Sequence, residues 1–395
     1  MSKEYSPKHP FHPSPSALES PTMIIDSHAY CFQPGTHSAG FSTPAEHLAW
    51  IQTAQGLHHQ PAWRVNDRTP ASSAGLGEGH PNDSSNLPDV DFRIDNERGR
   101  VVWTIDGEDR SKQFYPPNLR NLEYTPHSLI AEMDYAGVDH ALLHTNPMLG
   151  RDTTFLAECV QHYPDRLHSM APVDEWRIID ETDQVVAELQ QAIVERGLHA
   201  IKFNTRPAYQ RSPQAWDDGP YRLFWQAATA LHVPIFFTLG TGPGSAAGAT
   251  SGRENIQGCL DEQQTLINWM QRYPDTVCSL THGFPWRVFL TDDGIELPNE
   301  IWTPFENPKL SLEVCFPVRI GDLFDFPYRE AQPTLKLMVE NIGADRLLWG
   351  TDMPFQNRFC TYRQSRQWIE KYCDFLSSDD LAQVMGGTAR RILNL

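Results

Sequence analysis

The sequence lacks several features that would assign it to common classes of protein. It has no run of about 18 apolar residues, so no transmembrane helix is expected. Residues 1–21 are polar and proline-rich and contain no apolar stretch typical of a secretory signal peptide. The seven cysteines form no CxxC pair, which indicates reduced thiols rather than a disulfide framework. Basic residues are scarce: 32 Lys and Arg stand against 50 Asp and Glu, giving a net charge of −18. These absences predict a cytoplasmic protein whose main partner is neither a nucleic acid nor a membrane.

The 395 residues divide by composition into an arm and one large domain. Residues 1–22 resemble a flexible arm. We expect the domain to span residues 23–395, with an insertion at 34–125 that folds as a lid. Inside the insertion, residues 46–57 are helix-like and residues 72–89 are rich in Gly, Ser, Pro and Asn. Two β-rich runs around Asn96 and Gly99 predict a hairpin.

From Thr125 onward, short apolar runs alternate with amphipathic segments of 10 to 16 residues. This alternation is typical of repeated βαβ units with parallel strands. The predicted strands lie around Ile24, Ala141, Leu167, Ala200, Pro234, Val277, Leu310 and Leu347. Eight parallel strands predict an α/β fold of the (β/α)₈ TIM-barrel type. A doubly wound sheet is the alternative, but no GxGxxG follows the first strand.

Polar residues follow or end most of these strands, where a barrel of this kind places its catalytic mouth. Two imidazoles and two carboxylates there would be costly to desolvate without a partner, so they predict a metal. The strand ends include His28, Tyr30, His144, Glu175, Lys202, His282, Glu313 and Asp352.

Four motifs resemble the amidohydrolase superfamily, and most of all its branch of decarboxylases and hydrolases. They are DSHAY at the first strand, THGFP at the sixth, WGTDMP at the eighth, and the closing MGGTARRILNL. The resemblance covers residues 25–33 and 125–395. By the family pattern His28, His282 and Asp352 are metal ligands, and Asp26 matches the acidic residue that opens the first motif.

Two positions depart from that pattern. Tyr30 stands where the family has a second histidine on the first strand, and Thr238 stands where it has one on the fifth. We expect a rebuilt site, because unused candidate ligands are abundant: His58 and His59 in the insertion, and Glu313 in an apolar strand. A mixture of imidazoles, carboxylates and a phenolate favours iron.

The altered pattern is similar to TIM-barrel enzymes that resemble amidohydrolases but act as non-haem di-iron monooxygenases. This resemblance implies an O₂-dependent hydroxylase with two irons that acts on an unactivated C–H bond. The implied substrate is a large apolar acid, diterpenoid-like and belonging to secondary metabolism, or its coenzyme A thioester. An external electron donor or reductase would be needed, and the chain could form a homo-oligomer. The implied metal ligands are His28, Tyr30, His58, His59, His282, Glu313 and Asp352.

Asp352 and Lys202 are the predicted catalytic residues. Lys202 has three open interpretations: a carboxylated bridging lysine, a cation for a substrate carboxylate or phosphate, or a salt bridge at the rim of the core. The Gly-rich segment 240–248 could hold a phosphate with its backbone N–H groups. A basic rim for coenzyme A could come from Arg206, Arg211 and Arg253.

Two other hypotheses remain open. The first is a hydrolase or non-oxidative decarboxylase with one Zn²⁺ or Mn²⁺, in which Asp352 acts as general base on a metal-bound water. The second is a metal-free binding or lactone-handling protein in which His28 and Asp352 are relics. The loss of two family ligands counts against the first, and the surplus of new ligand types counts against the second.

Overall fold

Eight parallel strands form the central sheet in the computed structural model, which describes residues 23–77, 86–209, 212–242, 253–292 and 294–395. Each strand pairs with the next along the chain, so the predicted TIM barrel is confirmed. Strands 1 to 8 of the barrel are Ile25–Ala29, His140–Leu143, Leu167–Ala171, Ala200–Asn204, Ile235–Thr238, Cys278–Leu280, Leu310–Val314 and Leu347–Trp349.

Backbone hydrogen bonds beyond strand 8 join that edge of the sheet to strand 1. The Tyr30 N–H donates to Met353 O at 2.8 Å, and the Asp352 N–H donates to His28 O at 2.7 Å. The segments that carry the first and eighth motifs, more than 300 residues apart in the chain, therefore lie side by side.

One end of the barrel is filled by apolar side chains, and this fixes the other end as the mouth. Ile25, Leu142, Met170, Ala200, Phe236 and Leu348 pack there against Ala389, Ile392 and Leu393 of the last helix. Because alternate strand residues share a face, His144 and Lys202 follow Leu142 and Ala200 one layer nearer the mouth.

The α-helices surround the barrel or lie in the insertion, and no helix among the described residues is long and apolar enough to span a bilayer. Their bounds are Pro44–Leu57, Pro126–Ala136, Thr153–His162, Thr182–Gln190, Thr205–Ala208, Arg222–Thr229, Arg253–Arg272, Phe316–Ile320, Gln332–Ile342, Tyr362–Tyr372, Ser378–Ala382 and Thr388–Leu393.

The inserted segment builds a small antiparallel sheet of its own. Its five strands lie in the order Pro70–Ala71, Ala62–Arg64, Glu108–Lys112, Arg100–Ile105 and Arg93–Asp95. The last two form the hairpin predicted around Asn96 and Gly99. Phe114, just after this sheet, packs on Phe355 of the loop after strand 8, with ring centroids 5.0 Å apart. This contact is consistent with a lid, which stays a prediction.

Candidate active site at the carboxyl end of the barrel

Two imidazoles and two carboxylates meet at the mouth of the barrel. His28 Nδ1 lies 2.8 Å from Glu313 Oε2, and His28 Nε2 lies 3.1 Å from Asp352 Oδ1. His282 Nε2 lies 3.9 Å from the same Asp352 oxygen. The structure thus brings together residues that the sequence placed at the ends of strands 1, 6 and 8 and within strand 7.

Glu313 is fully buried, and its carboxylate accepts three hydrogen bonds. Oε2 accepts from His28 Nδ1 at 2.8 Å and from the His282 backbone N–H at 2.6 Å, while Oε1 accepts from Ser27 Oγ at 3.3 Å. Because an ionised carboxylate only accepts, the proton on the His28 ring lies on Nδ1, and Nε2 faces Asp352. A carboxylate on the far nitrogen is the usual partner of a metal-ligating histidine. Glu313 therefore has the position of an orienting residue.

Opposing effects act on the pKa of His28. Burial lowers the pKa, but the Glu313 and Asp352 carboxylates outweigh it and raise the pKa above its ordinary value. The pocket is thus built to hold positive charge beside His28, whether that charge is a proton or a metal ion.

The pKa of His282 is shifted in the opposite direction. Burial lowers its pKa well below the ordinary value, and nearby His28 and Arg319 add to the effect, so the ring is neutral. Its Nδ1 is buried and has no hydrogen-bond partner among the described residues. Both His282 and Asp352 have a φ of 64°, a left-handed conformation that costs energy outside glycine and clusters at functional sites.

This donor set fits a divalent cation. His28, His282 and Asp352 supply two imidazoles and a carboxylate, and three protein ligands leave a position open for water or substrate. The thiol of Cys315 also belongs to the neighbourhood: His28, His282, Glu313 and Cys315 each offer an atom, and these atoms lie within 4.8 Å of one another. Burial raises the pKa of Cys315 well above its usual value, so it is a protonated thiol here.

Lys202 lies beside this cluster in a defined hydrogen-bond chain. Its Nζ donates to Thr281 Oγ1 at 2.8 Å and lies 3.2 Å from His144 Nδ1. His144 Nε2 donates to Ser27 O at 2.8 Å, so its Nδ1 accepts from Lys202. Burial lowers the pKa of Lys202 to about 8, which leaves it largely cationic at neutral pH. One of its three N–H groups remains for another partner.

Asp26 and Tyr30 hold the cluster in place from strand 1. Asp26 accepts from Thr351 Oγ1, Tyr362 OH and two backbone N–H groups, so its oxygens are occupied, and burial raises its pKa to about 7. Tyr30 OH lies 2.8 Å from His28 Nε2. Burial, followed by the charge of Asp352, raises the pKa of Tyr30 well above its usual value, so it is a phenol rather than a phenolate.

Comparison with known proteins adds the family. The amidohydrolase family model matches residues 79–395, which is most of the chain. The chain belongs to the amidohydrolase family. Among curated proteins it is similar to a γ-resorcylate decarboxylase of a Polaromonas species, 24% identical over 265 residues that cover 63% of this chain and 77% of that protein.

Solved structures agree on the fold of this amidohydrolase. The 5-carboxyvanillate decarboxylase of Sphingomonas paucimobilis aligns with a TM-score of 0.56 at 16% identity, covering 95% of this chain and 99% of its own. The 2,6-dihydroxybenzoate decarboxylase of Rhizobium aligns with a TM-score of 0.51 at 20% identity, covering 69% and 89%. At such identities these likenesses show the fold alone.

The prediction of an O₂-dependent di-iron monooxygenase is wrong. The curated relative is a decarboxylase rather than an oxygenase, and this finding overturns it. The two irons, O₂, the electron donor and the large apolar or coenzyme A-linked substrate depended on that prediction and are withdrawn with it. That prediction rested on Tyr30 in the first motif, on the missing histidine of the fifth strand and on the His58–His59 pair in the insertion.

The structure does not bring His58 and His59 into the group of His28, His282, Glu313 and Cys315. They stack on each other 4.4 Å apart, and His58 packs edge-on against Phe114 at 4.4 Å. His59 Nε2 lies 3.4 Å from Asp322 Oδ2. Burial lowers the pKa of both rings. They line the inserted side of the mouth.

Sequence reasoning missed three residues of this region: Cys315, Arg319 and Arg358. Cys315 follows strand 7 directly, a position that strand-end analysis could have found. Arg319 and Arg358 lie in the short helical turns after strands 7 and 8, and no motif marks them.

Of the remaining candidates, the structure describes Thr238, Glu175 and Arg206. The Thr238 carbonyl accepts from Thr205 Oγ1 at 3.4 Å. Glu175 Oε1 accepts from the Asn204 N–H at 2.6 Å, its Oε2 has no partner among the described residues, and burial raises its pKa to about 8. Arg206 is half-buried, and burial lowers its pKa. Arg211, the Arg253 side chain and residues 243–248 of the Gly-rich segment lie outside the described residues.

Proposed function

We propose that this amidohydrolase is a metal-dependent, non-oxidative decarboxylase of a small aromatic carboxylic acid. One divalent cation, Zn²⁺ or Mn²⁺, would be held by His28, His282 and Asp352. The observation that carries the proposal is the approach of both imidazoles to one carboxylate oxygen. His28 Nε2 lies 3.1 Å and His282 Nε2 lies 3.9 Å from Asp352 Oδ1. The similarity to a γ-resorcylate decarboxylase favours this reaction class.

The cation would supply fixed positive charge that binds the oxygen atoms of the substrate. Glu313 keeps the Nδ1 proton of His28 in place and so directs Nε2 toward the ligand position. The backbone N–H of His282 is held by the same Glu313 oxygen, which couples the positions of both imidazoles.

Decarboxylation replaces a carboxylate by a proton: the C–C bond breaks, its electron pair stays on the substrate carbon, and CO₂ leaves. The substrate carbon then needs a proton from a nearby acid. Asp352 is 9% exposed whereas Glu313 is fully buried, so Asp352 is the carboxylate that can meet the substrate. It would take a proton from water at the mouth and pass it to the substrate carbon. The unused N–H of the Lys202 ammonium would bind the substrate carboxylate, one of the interpretations its sequence position left open.

The experiment is metal analysis followed by turnover under nitrogen. Protein purified without chelators and reloaded with Mn²⁺ or Zn²⁺ is incubated with 2,6-dihydroxybenzoate and related hydroxybenzoates, and CO₂ release is measured. We expect about one divalent ion per chain, CO₂ release without O₂, and loss of both in the His282→Ala variant. The exposed His162, remote from the mouth, gives the matched control His162→Ala, which should keep both.

A chain that binds no divalent ion and releases no CO₂ from any of these acids would contradict the proposal. Hydrolysis of a lactone or amide by the metal-loaded protein, without CO₂ release, would instead support a hydrolase with Asp352 as general base.

A further inference from the structure

We propose that Arg319 and Arg358 form an anion subsite that binds a second carboxylate or phosphate group of the substrate, at the boundary between barrel and insertion. The inference rests on the proposed function for the identity of the first group, the reacting carboxylate. It goes beyond that function by specifying a dianionic substrate.

Arg358 is fixed between two aromatic rings and keeps hydrogen-bonding capacity. Its guanidinium carbon lies 5.3 Å from the ring centre of Phe114, in the insertion, and 4.9 Å from that of Phe359. Its Nε donates to Phe355 O at 2.9 Å, but its Nη1 is buried and has no partner among the described residues. A buried N–H donor without an acceptor is costly, so this atom indicates a missing partner.

Arg319 lies in the helical turn after strand 7, and Arg358 lies in the turn after strand 8. The two turns approach each other closely at Gly321. A β-carbon on Gly321 would lie only 2.7 Å from Phe359, so the turn after strand 7 presses against the turn that carries Arg358. Within the described part of the chain, neither arginine forms an ion pair, although Arg287 beside them pairs with Asp322 at 2.9 Å.

The subsite adjoins the metal cluster. The Phe355 ring lies 5.7 Å from that of Tyr30, and Tyr30 contacts His28. The charge of Asp352 acts on the pKa values of both arginines, which burial lowers. The aromatic rings of Phe114, Phe355 and Tyr30 thus form a continuous series of contacts from Arg358 to His28.

Charge and shape together specify the ligand. Arg319 and Arg358 are partly buried guanidiniums without an ion pair among the described residues, in a chain with a net charge of −18. An anionic ligand would supply their missing partner. Guanidinium groups bind carboxylate and phosphate with paired N–H donors. The aromatic rings that connect Arg358 with His28 suit a flat apolar body such as a benzene ring.

The test measures binding of inert ligands, so it does not depend on turnover. Dissociation constants of benzoate, isophthalate (benzene-1,3-dicarboxylate) and 3-phosphooxybenzoate are measured by calorimetry on metal-loaded protein. We expect at least one dianion to bind about tenfold or more tightly than benzoate, from charge-assisted hydrogen bonds to the second group. The dianion that gains most identifies the second group as carboxylate or phosphate.

In Arg358→Met this preference should fall to within about threefold, while benzoate affinity is kept. Arg358→Lys should keep part of it, because the charge stays and the paired donors are lost. Arg222→Met removes the charge of an exposed arginine that pairs with Asp218, and should change nothing. If Arg358→Met does not fold, as judged by its melting curve, Arg319→Met takes its place.

Equal binding of benzoate and both dianions by the unaltered protein, or a preference that survives both Arg358→Met and Arg319→Met, would overturn the subsite. A preference for dianions in a protein that releases CO₂ from no acid would leave the subsite standing and contradict the proposed reaction.

Discussion

The Glu313→Gln substitution tests whether Glu313 orients His28 without binding the metal itself. Glutamine keeps the shape of the side chain, and its carbonyl oxygen can replace Oε2 as acceptor for His28 Nδ1 and the His282 N–H. Its amide group then takes the place of Oε1 beside Ser27 Oγ. The substitution therefore removes one negative charge while the packing and most hydrogen bonds can persist.

The expected loss can be worked from the contacts. Removing an outer carboxylate from a metal-ligating histidine typically costs 10–100-fold in metal affinity, or about 1.4–2.8 kcal/mol. Because the glutamine oxygen can still accept from Nδ1, and Asp352 at 3.1 Å still lies at Nε2, we expect the lower end, about tenfold.

The assay is competition for Mn²⁺ with a fluorescent chelator, together with thermal melting of the metal-free protein. Glu262 offers a matched control: it is a buried carboxylate that accepts from Trp216 Nε1 at 3.3 Å and from Tyr209 OH, and these partners are not candidate metal ligands. Glu262→Gln should affect the melting temperature but not the Mn²⁺ affinity.

Two results would refute the reasoning about Glu313. An Mn²⁺ affinity within twofold of the unaltered protein, in a folded Glu313→Gln variant, would mean that Glu313 does not tune His28. A loss of roughly a thousandfold or more, beyond the usual range for outer partners, would mean that Glu313 is itself a ligand.

Two further predictions concern stability. Burial raises the pKa of Glu175 from 4.5 to about 8. Between these two pH values the folded protein therefore keeps a proton on Glu175 that the unfolded chain has released. The contribution of Glu175 to the free energy of unfolding is fully present below about pH 4.5 and is lost as the pH rises through about 8. Glu175→Gln should therefore raise the melting temperature, relative to the unaltered protein, more at pH 8 than at pH 5; an equal difference at both would refute this. Gly283 has a φ of +81°, and a β-carbon there would overlap the Trp286 indole. We therefore expect Gly283→Ala to lower the free energy of unfolding, measured in urea, by about 1–3 kcal/mol more than the control Gly107→Ala does. Gly107 has a φ of +76° and open space, so the two variants share the backbone strain, and equal losses would show that the Trp286 contact does not matter.

The barrel and part of its mouth were predictable because their signals are local. Alternation of apolar runs with amphipathic segments predicted eight strands, and polar residues at or just after the strand ends drew attention to His28, Lys202, His282 and Asp352. Strand geometry then places such residues at one end of a closed sheet whatever the remaining contacts are.

The roles within the site were not predictable, because they depend on contacts between residues far apart in the chain. Glu313 is predicted as a ligand from its place in an apolar strand. Its contacts with His28 Nδ1 and the His282 backbone N–H, 285 and 31 residues away, also allow the orienting role that the Glu313→Gln variant tests. Tyr30 is predicted to offer a phenol or a phenolate oxygen, and full burial beside Asp352 raises its pKa, which selects the phenol.

The insertion shows the same division between sequence and tertiary structure. The hairpin around Asn96 and Gly99 follows from turn residues and β-rich neighbours, so the sequence alone determined it. Where the insertion docks is set by side-chain packing across the mouth. That packing places His58 against Phe114, apart from His28 and His282. It also places the Phe114 ring against the guanidinium of Arg358, a residue that no sequence pattern marked. The sequence by itself therefore determined the barrel and the residue types available at its mouth. Only the tertiary structure decided which of these side chains meet and which protonation state each prefers, because residues distant in the chain set the burial of each side chain and the charge around it.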